Sequence, residues 1–345
     1  MIERDNLSSL EKAIIQTVAY FDIFKFPLTL VEIWKWLYQG KNVRYKMQDV
    51  KISDIQEALE KSEKLKEVIE CKWGFYFLKD TPHHPSTRSG GAGQANIKSR
   101  DLVEIRIERY NIAERKFKRA LRVTKILASI PFVRMIAVCN NLPYNNAEEE
   151  SDIDFFIITK ENRIWMTRFF CAGLMQLLRM RPTKKTARDK ICLSFFATQD
   201  NLNLKDIALR PYDIYLTYWI DQIFPIYDEE GNYEKFREAN KWIQEFLPNS
   251  FGVKVGFRRK VKLPFIIYKI KKILEMLHSY SFNGITEKFY KWLELKIMSR
   301  RLKEMANKDT RVIVNDKMLK FHDNDRREET RRIFEERLIE LETAE

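Results

Sequence analysis

The 345-residue chain carries 62 Lys and Arg against 49 Asp and Glu, a formal charge of +13, with 45% hydrophobic residues and only ten Gly and ten Pro. That composition excludes a disordered or collagen-like chain and fits a globular, mostly helical protein with room for two or three domains. Cys71, Cys139, Cys171 and Cys192 are scattered, with no C-x-x-C pair and no histidine cluster, which excludes a disulfide scaffold and a zinc finger.

No apolar leader opens the chain and no apolar run approaches about 18 residues, so a cytoplasmic protein without a membrane span is expected. The charge is uneven. Residues 1–80 hold 13 basic and 13 acidic groups, residues 200–250 hold five and ten, and residues 254–320 hold 18 and six.

In the first 80 residues, Leu10, Ile14, Val18, Phe21 and Phe24 recur at helical spacing after Ser8 and Ser9, and Pro27 ends the run. Thr29 is placed to cap a second helix over Leu30–Tyr38. Ser53 precedes a third over Asp54–Lys64. Val68–Leu78 alternates around Trp73-Gly74, as a β-hairpin does. Three helices and a hairpin resemble a winged-helix domain. Such domains place the third helix in a DNA groove. Here that helix mixes Glu57, Glu60 and Glu63 with Lys61 and Lys64, so a docking or regulatory module is an equal reading. Residues 81–98, rich in Pro, Gly, Ser and Thr, read as a linker, with His83 and His84 as loop residues.

From Ser99 to Ile130 the apolar period predicts a long amphipathic helix, with Arg115, Lys116, Lys118 and Arg119 on a solvated side. Two apolar runs follow, Met135–Val138 and Phe155–Ile158, read as short buried strands. The loop between them ends in Ser151-Asp152-Ile153-Asp154. Residues two apart on a strand share a face, so Asp152 and Asp154 project together while Ile153 and Phe155 enter the core. Adjacent carboxylates repel, and a divalent cation with hard oxygen ligands relieves the repulsion. A helix over Arg163–Arg179 and a basic turn, Lys184–Lys190, come next. The third strand, Ile191–Ala197, has Ser194 as its polar side chain, and Asp189 and Asp200 flank it.

A strand, a tight turn, ten residues, then Ser-Asp-h-Asp-h resembles the nucleotidyltransferase superfamily that includes DNA polymerase beta, over roughly residues 130–200. The resemblance implies an α/β core (residues 99–200) with a small mixed sheet, an NTP substrate, and Mg²⁺ or Mn²⁺ on Asp152 and Asp154. It implies transfer of a nucleoside monophosphate to an acceptor by a two-metal displacement. The family's turn carries Gly-Ser or Gly-Gly. Asn140-Asn141 stands there in this chain, and Asn tolerates the left-handed backbone that such a turn uses. By that resemblance Asn140, Asn141 and Ser151 position the triphosphate and Lys190 steadies a phosphate. The family's third carboxylate has no counterpart on the third strand. The alternative is a catalytically inactive fold acting as a nucleotide sensor or a scaffold for nucleic acid or protein.

Residues 201–345 are expected to form a basic helical domain. Residues 203–247 read as helical, with Tyr212, Tyr215, Tyr218 and Trp219 in the core. Lys262–Tyr280 reads as a basic amphipathic helix with Ile266, Ile270, Ile273 and Leu277 on one side. Such a helix suits an anionic membrane, but packing into a C-terminal bundle is the favoured reading. A helix over Thr286–Met305, a short strand at Val312–Val314 and a last helix, Arg326–Leu341, capped by Asn324 or Asp325, follow. The excess charge of residues 254–320 predicts RNA or DNA as a partner, against a plain solvated face.

Overall fold

The computed structural model describes residues 7–40, 49–79, 101–183, 186–281 and 284–343. The expected linker over 81–98, with His83 and His84, lies outside the described residues. Within them the chain is a mixed α/β protein of twelve α-helices and two sheets.

Local chemistry sets the early elements. Helix α1 (Ser9–Asp22) opens on a reciprocal capping box: Glu11 N donates to Ser8 Oγ and Ser8 N to the Glu11 carboxylate. Strand β1 (Leu28–Thr29) leads into α2 (Leu30–Lys35), where Thr29 and Glu32 repeat that exchange. The expected third helix is two. Helix α3 (Ile52–Lys61) stops before Ser62, whose hydroxyl caps α4 (Glu63–Val68). Strands β2 (Ile69–Lys72) and β3 (Phe75–Leu78) then pair antiparallel around Trp73 and Gly74. Both turn residues have positive φ, 53° and 79°, the backbone that matches the strands' right-handed twist. Strand β1 joins the far edge of β3, giving the order β1-β3-β2.

This N-terminal unit shares its core with the rest of the chain. Ile14, Val18 and Phe21 of α1 pack in one buried cluster with Ile214 and Tyr218 of α7 (Ile214–Gln222) and with Ile333 and Phe334 of α12 (Arg327–Thr343). The rings of Tyr20 and Tyr218 stack at 4.1 Å.

The second sheet has six strands in the order β7-β4-β5-β6-β9-β8. They are β4 (Val133–Val138), β5 (Ile153–Thr159), β6 (Ile191–Thr198), β7 (Phe224–Asp228), β8 (Val312–Val314) and β9 (Met318–Phe321). Strands β5 and β6 are parallel, and every other neighbouring pair is antiparallel. On one face, Phe117 and Val123 of α5 (Leu102–Leu127) and Trp165 and Met175 of α6 (Ile164–Leu177) cover Ile136, Phe155 and Ile157. On the other, Trp219 of α7 and Phe236 of α8 (Asn232–Ala239) cover Met135, Phe156 and Phe195. With both faces covered, the strands read as continuous apolar runs.

Two expectations for the C-terminal part need correction. Residues 201–345 are not a purely helical unit, because they supply β7, β8 and β9 to the central sheet. Strand β7 lies inside the stretch 203–247 expected to be helical. Pro225 is accommodated where the register between β7 and β4 shifts, at Ala137.

The second correction concerns α9 (Phe265–Ser281), which packs by the opposite face to the one expected. Ile266, Ile270, Ile273 and Leu277 point to solvent, while Lys271 and Glu275 are buried. Lys271 Nζ donates to Val133 O at 2.6 Å and to Glu229 at 2.7 Å. Arg134 grips Glu275 with two bonds of 2.8 and 2.9 Å, and Phe132 N adds a third at 2.6 Å. Burial raises the Glu229 carboxyl, but Lys271 and Lys272 outweigh it and hold it down at about 2. Such a network is costly to assemble and costlier to leave half-made.

Removing one member therefore destabilises more than removing an outward apolar group. Lys271→Met should lower unfolding stability by about 3–5 kcal/mol. Ile270→Ser, one residue away on the outer side, should stay within about 0.5 kcal/mol of the parent. Urea unfolding of both variants checks this. Equal losses would mean that α9 buries its apolar side after all.

Candidate functional site

The carboxylate pair sits at the N-terminal end of β5, on the sheet face covered by α7. Asp152 lies just outside the strand and Asp154 is its second residue, paired in register with Cys192 of β6. One ligand atom each from Asp152, Asp154 and Cys192 lies within 4.8 Å of the others, and all three residues keep partial solvent access. Neither carboxylate forms an ion pair among the described residues. Ile153 and Phe155 go into the opposite core, as their alternation predicts.

A buried cation holds the loop that presents the pair. Lys116 of α5 donates to Glu149 O at 3.1 Å, to Ser151 O at 2.6 Å and to Asp189 Oδ1 at 3.0 Å. Arg119 bonds Asp189 O at 2.6 Å, Arg115 clasps Glu149 by two bonds, and Arg109 reaches Asn146 and Glu148. Of the basic side of α5 expected to be solvated, Lys118 is exposed, while Arg115, Lys116 and Arg119 pin the loop instead. Carbonyls stripped of water by the fold need donors, and a long flexible amine on a packed helix supplies three.

Electrostatics inside the cluster are unfavourable to two charges. Burial first, then the Asp154 charge, push the Asp152 carboxyl up to about 7. Burial raises Asp154 as well, while hydrogen bonds from the Asn140 amide and the Cys192 thiol oppose the rise. Burial and then the two carboxylates push the Cys192 thiol well up. In the absence of a cation the pair therefore retains a proton in the range where an isolated carboxyl is ionised.

The other expected residues divide. Asn140 has φ 61°, the left-handed backbone expected of the turn. Its Oδ1 accepts from Trp219 Nε1 at 3.0 Å and Tyr215 OH at 3.4 Å, which leaves the amide for Asp154. Asn141 is committed locally: its Oδ1 accepts from Tyr144 OH at 2.7 Å. Ser151 Oγ donates to Glu148 O at 2.9 Å, and Lys190 Nζ to Arg179 O at 2.8 Å. Asp189 and Asp200 pair with Lys116 and Lys317, both at 3.0 Å, and are not members of the cluster.

Two members were not anticipated. Cys192 occupies the third corner. Its signal was its place two residues before Ser194, hence on the same strand face. Beyond it, Ser194 Oγ lies 2.8 Å from His322 Nε2. Burial, then Lys320, push that imidazole down to about 3, so it is neutral. A polar row therefore runs from Asp154 through Cys192 and Ser194 to His322. Asp325, from the same stretch, accepts the Arg327 N–H at 3.0 Å and starts α12, as expected. Two surface recesses, one around Asp221 and Arg237 and one around Trp165 and Glu287, do not include the carboxylate pair.

The raised Asp152 carboxyl has a stability consequence. Its folded value lies above the unfolded one, so the folded state binds more protons between the two. Metal-free stability should fall as pH rises from about 4 to about 7 on account of this group. Asp152→Asn should flatten that slope and raise the metal-free melting temperature at pH 8 by about 2 °C. Calorimetry across pH checks it; a parent and variant with parallel profiles would contradict the electrostatic picture. No family model matches this chain, and neither does any curated protein or solved structure.

Proposed function

We propose that the chain is a nucleotidyltransferase that transfers a nucleoside monophosphate from an NTP to an acceptor. The observation that carries the reading is the solvent-reaching pair Asp152–Asp154, without a cationic partner, at the mouth of a mixed sheet. The residues fit a divalent cation: two hard oxygen donors stand together with space open to water. Cys192 in the third place tilts the preference from Mg²⁺ toward the softer Mn²⁺. A bound cation supplies Lewis acidity, drawing charge from phosphoryl oxygens and activating the acceptor oxygen.

The chain's own groups do the positioning. Trp219 and Tyr215 hold the oxygen of Asn140, so its amide faces Asp154 and orients that carboxylate. Lys116 and Arg119 fix the entry to β5 and with it Asp152. Asp152, whose carboxyl burial and Asp154 raise to about 7, would hold a cation together with Asp154, and its proton would then leave to solvent. Asn140, with its left-handed backbone, takes the place of the family's glycine. The N-terminal helices and the β2–β3 hairpin support a winged-helix reading. Their shared core with α7, which carries Trp219, favours a docking or regulatory module set close to the site.

A second reading, a nucleotide sensor or scaffold without turnover, is favoured by one observation. Asn141, Ser151 and Lys190, which the resemblance assigns to the triphosphate, are hydrogen-bonded within the fold.

Thermal shift with each of the four NTPs, with Mn²⁺ or Mg²⁺, separates the two. The parent should be stabilised by NTP plus cation through mass action, and Asp154→Asn should lose the shift. Asn140→Ala should weaken cation affinity by about tenfold or more while the protein stays folded. Pyrophosphate release on adding an acceptor establishes the enzyme. A shift without release supports the sensor, and an undiminished shift in Asp154→Asn removes both readings.

A further inference from the structure

Two consecutive helices present apolar stripes outward. On α9, Ile266, Ile270, Ile273 and Leu277 are 70, 52, 51 and 54% exposed. On α10 (Ile285–Ile297), Ile285, Phe289 and Trp292 are 72, 52 and 55% exposed. The spacings, i, i+4, i+7 and i+11 on α9 and i, i+4 and i+7 on α10, trace one continuous face on each helix. Next to α10, Phe170 of α6 lies against Tyr290, and Leu177 and Leu178 at the end of α6 are also exposed.

The stripes are not a core that happens to be open. The inward faces are made of charge. Lys271 and Glu275 anchor α9 to Glu229 and Arg134. On α10, Glu287 accepts from Trp165 N at 2.6 Å and Met166 N at 3.3 Å, capping α6, and Glu294 pairs with Arg168. Rotating either helix to bury its stripe would strip these groups of their partners and put charge outside the anchoring network. The outward presentation is therefore fixed by the fold.

The rim is basic. Lys262 and Lys269 on and before α9, and Lys288 and Lys296 on α10, are exposed and have no carboxylate partner among the described residues. Residues 254–320 carry 18 Lys and Arg against six Asp and Glu. No helix among the described residues is long and apolar enough to cross a membrane. Apolar stripes, an aromatic at the boundary and lysines that reach past it match a surface lying in the headgroup layer.

From this geometry we infer that the α9–α10 face docks on an anionic lipid bilayer, lying in its interface. Nucleic acid accounts for the lysines but not for seven large apolar groups turned to water. A second copy would set two strongly basic faces against each other. An anionic bilayer satisfies both features: headgroups meet the lysines and acyl chains take the stripes. The inference does not depend on the chemistry at Asp152 and Asp154.

Flotation of the full chain with phosphatidylcholine–phosphatidylglycerol vesicles, beside pure phosphatidylcholine vesicles, tests it. The parent should float with the mixed vesicles only, and less as salt rises. The outward double variant Ile270→Ser/Trp292→Ser should weaken binding at least tenfold. Lys262→Glu/Lys269→Glu, which touches no buried group (Lys269 lies over the exposed Phe265 ring), should do the same with a melting temperature that stays close to the parent's. No flotation, or equal flotation with both vesicle types, overturns the inference. So does a lipid-free dimer in sedimentation that Ile270→Ser/Trp292→Ser abolishes, which would make the occupant a second copy. Binding of RNA that Lys262→Glu/Lys269→Glu abolishes, with vesicle binding absent, would make it nucleic acid.

Discussion

Asp152 and Asp154 stand side by side at a strand mouth, half out of water, with a thiol as the nearest third group. Like charges in a poorly solvated place cost several kcal/mol unless something divides them. The surrounding fold does little to divide them by itself. The buried amine nearest the loop, Lys116, spends its hydrogen bonds on two carbonyls and Asp189. The support it gives is positional: it fixes the backbone just before the pair. Asn140 offers a neutral amide to one carboxylate, with its own oxygen clamped by an indole and a phenol. A cluster braced in this way keeps its geometry, while the repulsion between its two carboxylates is not offset by an ion pair among the described residues.

The same economy of charge shapes the far side of the molecule. Around Glu229 and Glu275, two carboxylates and the buried cations Arg134 and Lys271, with Lys272 at the edge, close a network and seat α9. There the charges find partners within the protein, and the consequence is a helix turned with its apolar side outward. At the sheet mouth Asp152 and Asp154 form no ion pair among the described residues, and they are left beside Cys192 with part of their surface open to solvent. The difference between the two places is that Arg134 and Lys271 lie opposite the acids in one, and no ion-pair partner lies opposite them among the described residues in the other.

Much of the architecture was legible in the sequence because it is written in local patterns. The runs that became β4, β5 and β6 are apolar over their whole length, and the hairpin turn at Trp73-Gly74 shows its punctuation. Capping residues Ser8 and Thr29 sit at the helix starts. The Asp152–Asp154 spacing placed both carboxylates on one face without any tertiary information. What local pattern does not contain is the partner. Periodicity locates the stripe of α9 but not its direction, since Arg134 and Glu229, far away in the chain, set which face turns inward. Strand β7 sat inside a stretch that read as helical, because its pairing with β4, far back in the chain, is not a local pattern. Cys192 was one of four scattered cysteines in the sequence, and only the register with Asp154 brings it to the carboxylates. The basic side of α5 looked solvated because the loop carbonyls it serves are more than thirty residues on.

The most direct measurement is anomalous diffraction from crystals soaked in Mn²⁺, collected near the manganese absorption edge. The account requires a peak bounded by carboxylate oxygens of both Asp152 and Asp154, with the Cys192 sulfur beside it, and no such peak in Asp154→Asn crystals. A parent crystal that takes up manganese elsewhere and leaves the pair without a peak would contradict the central claim.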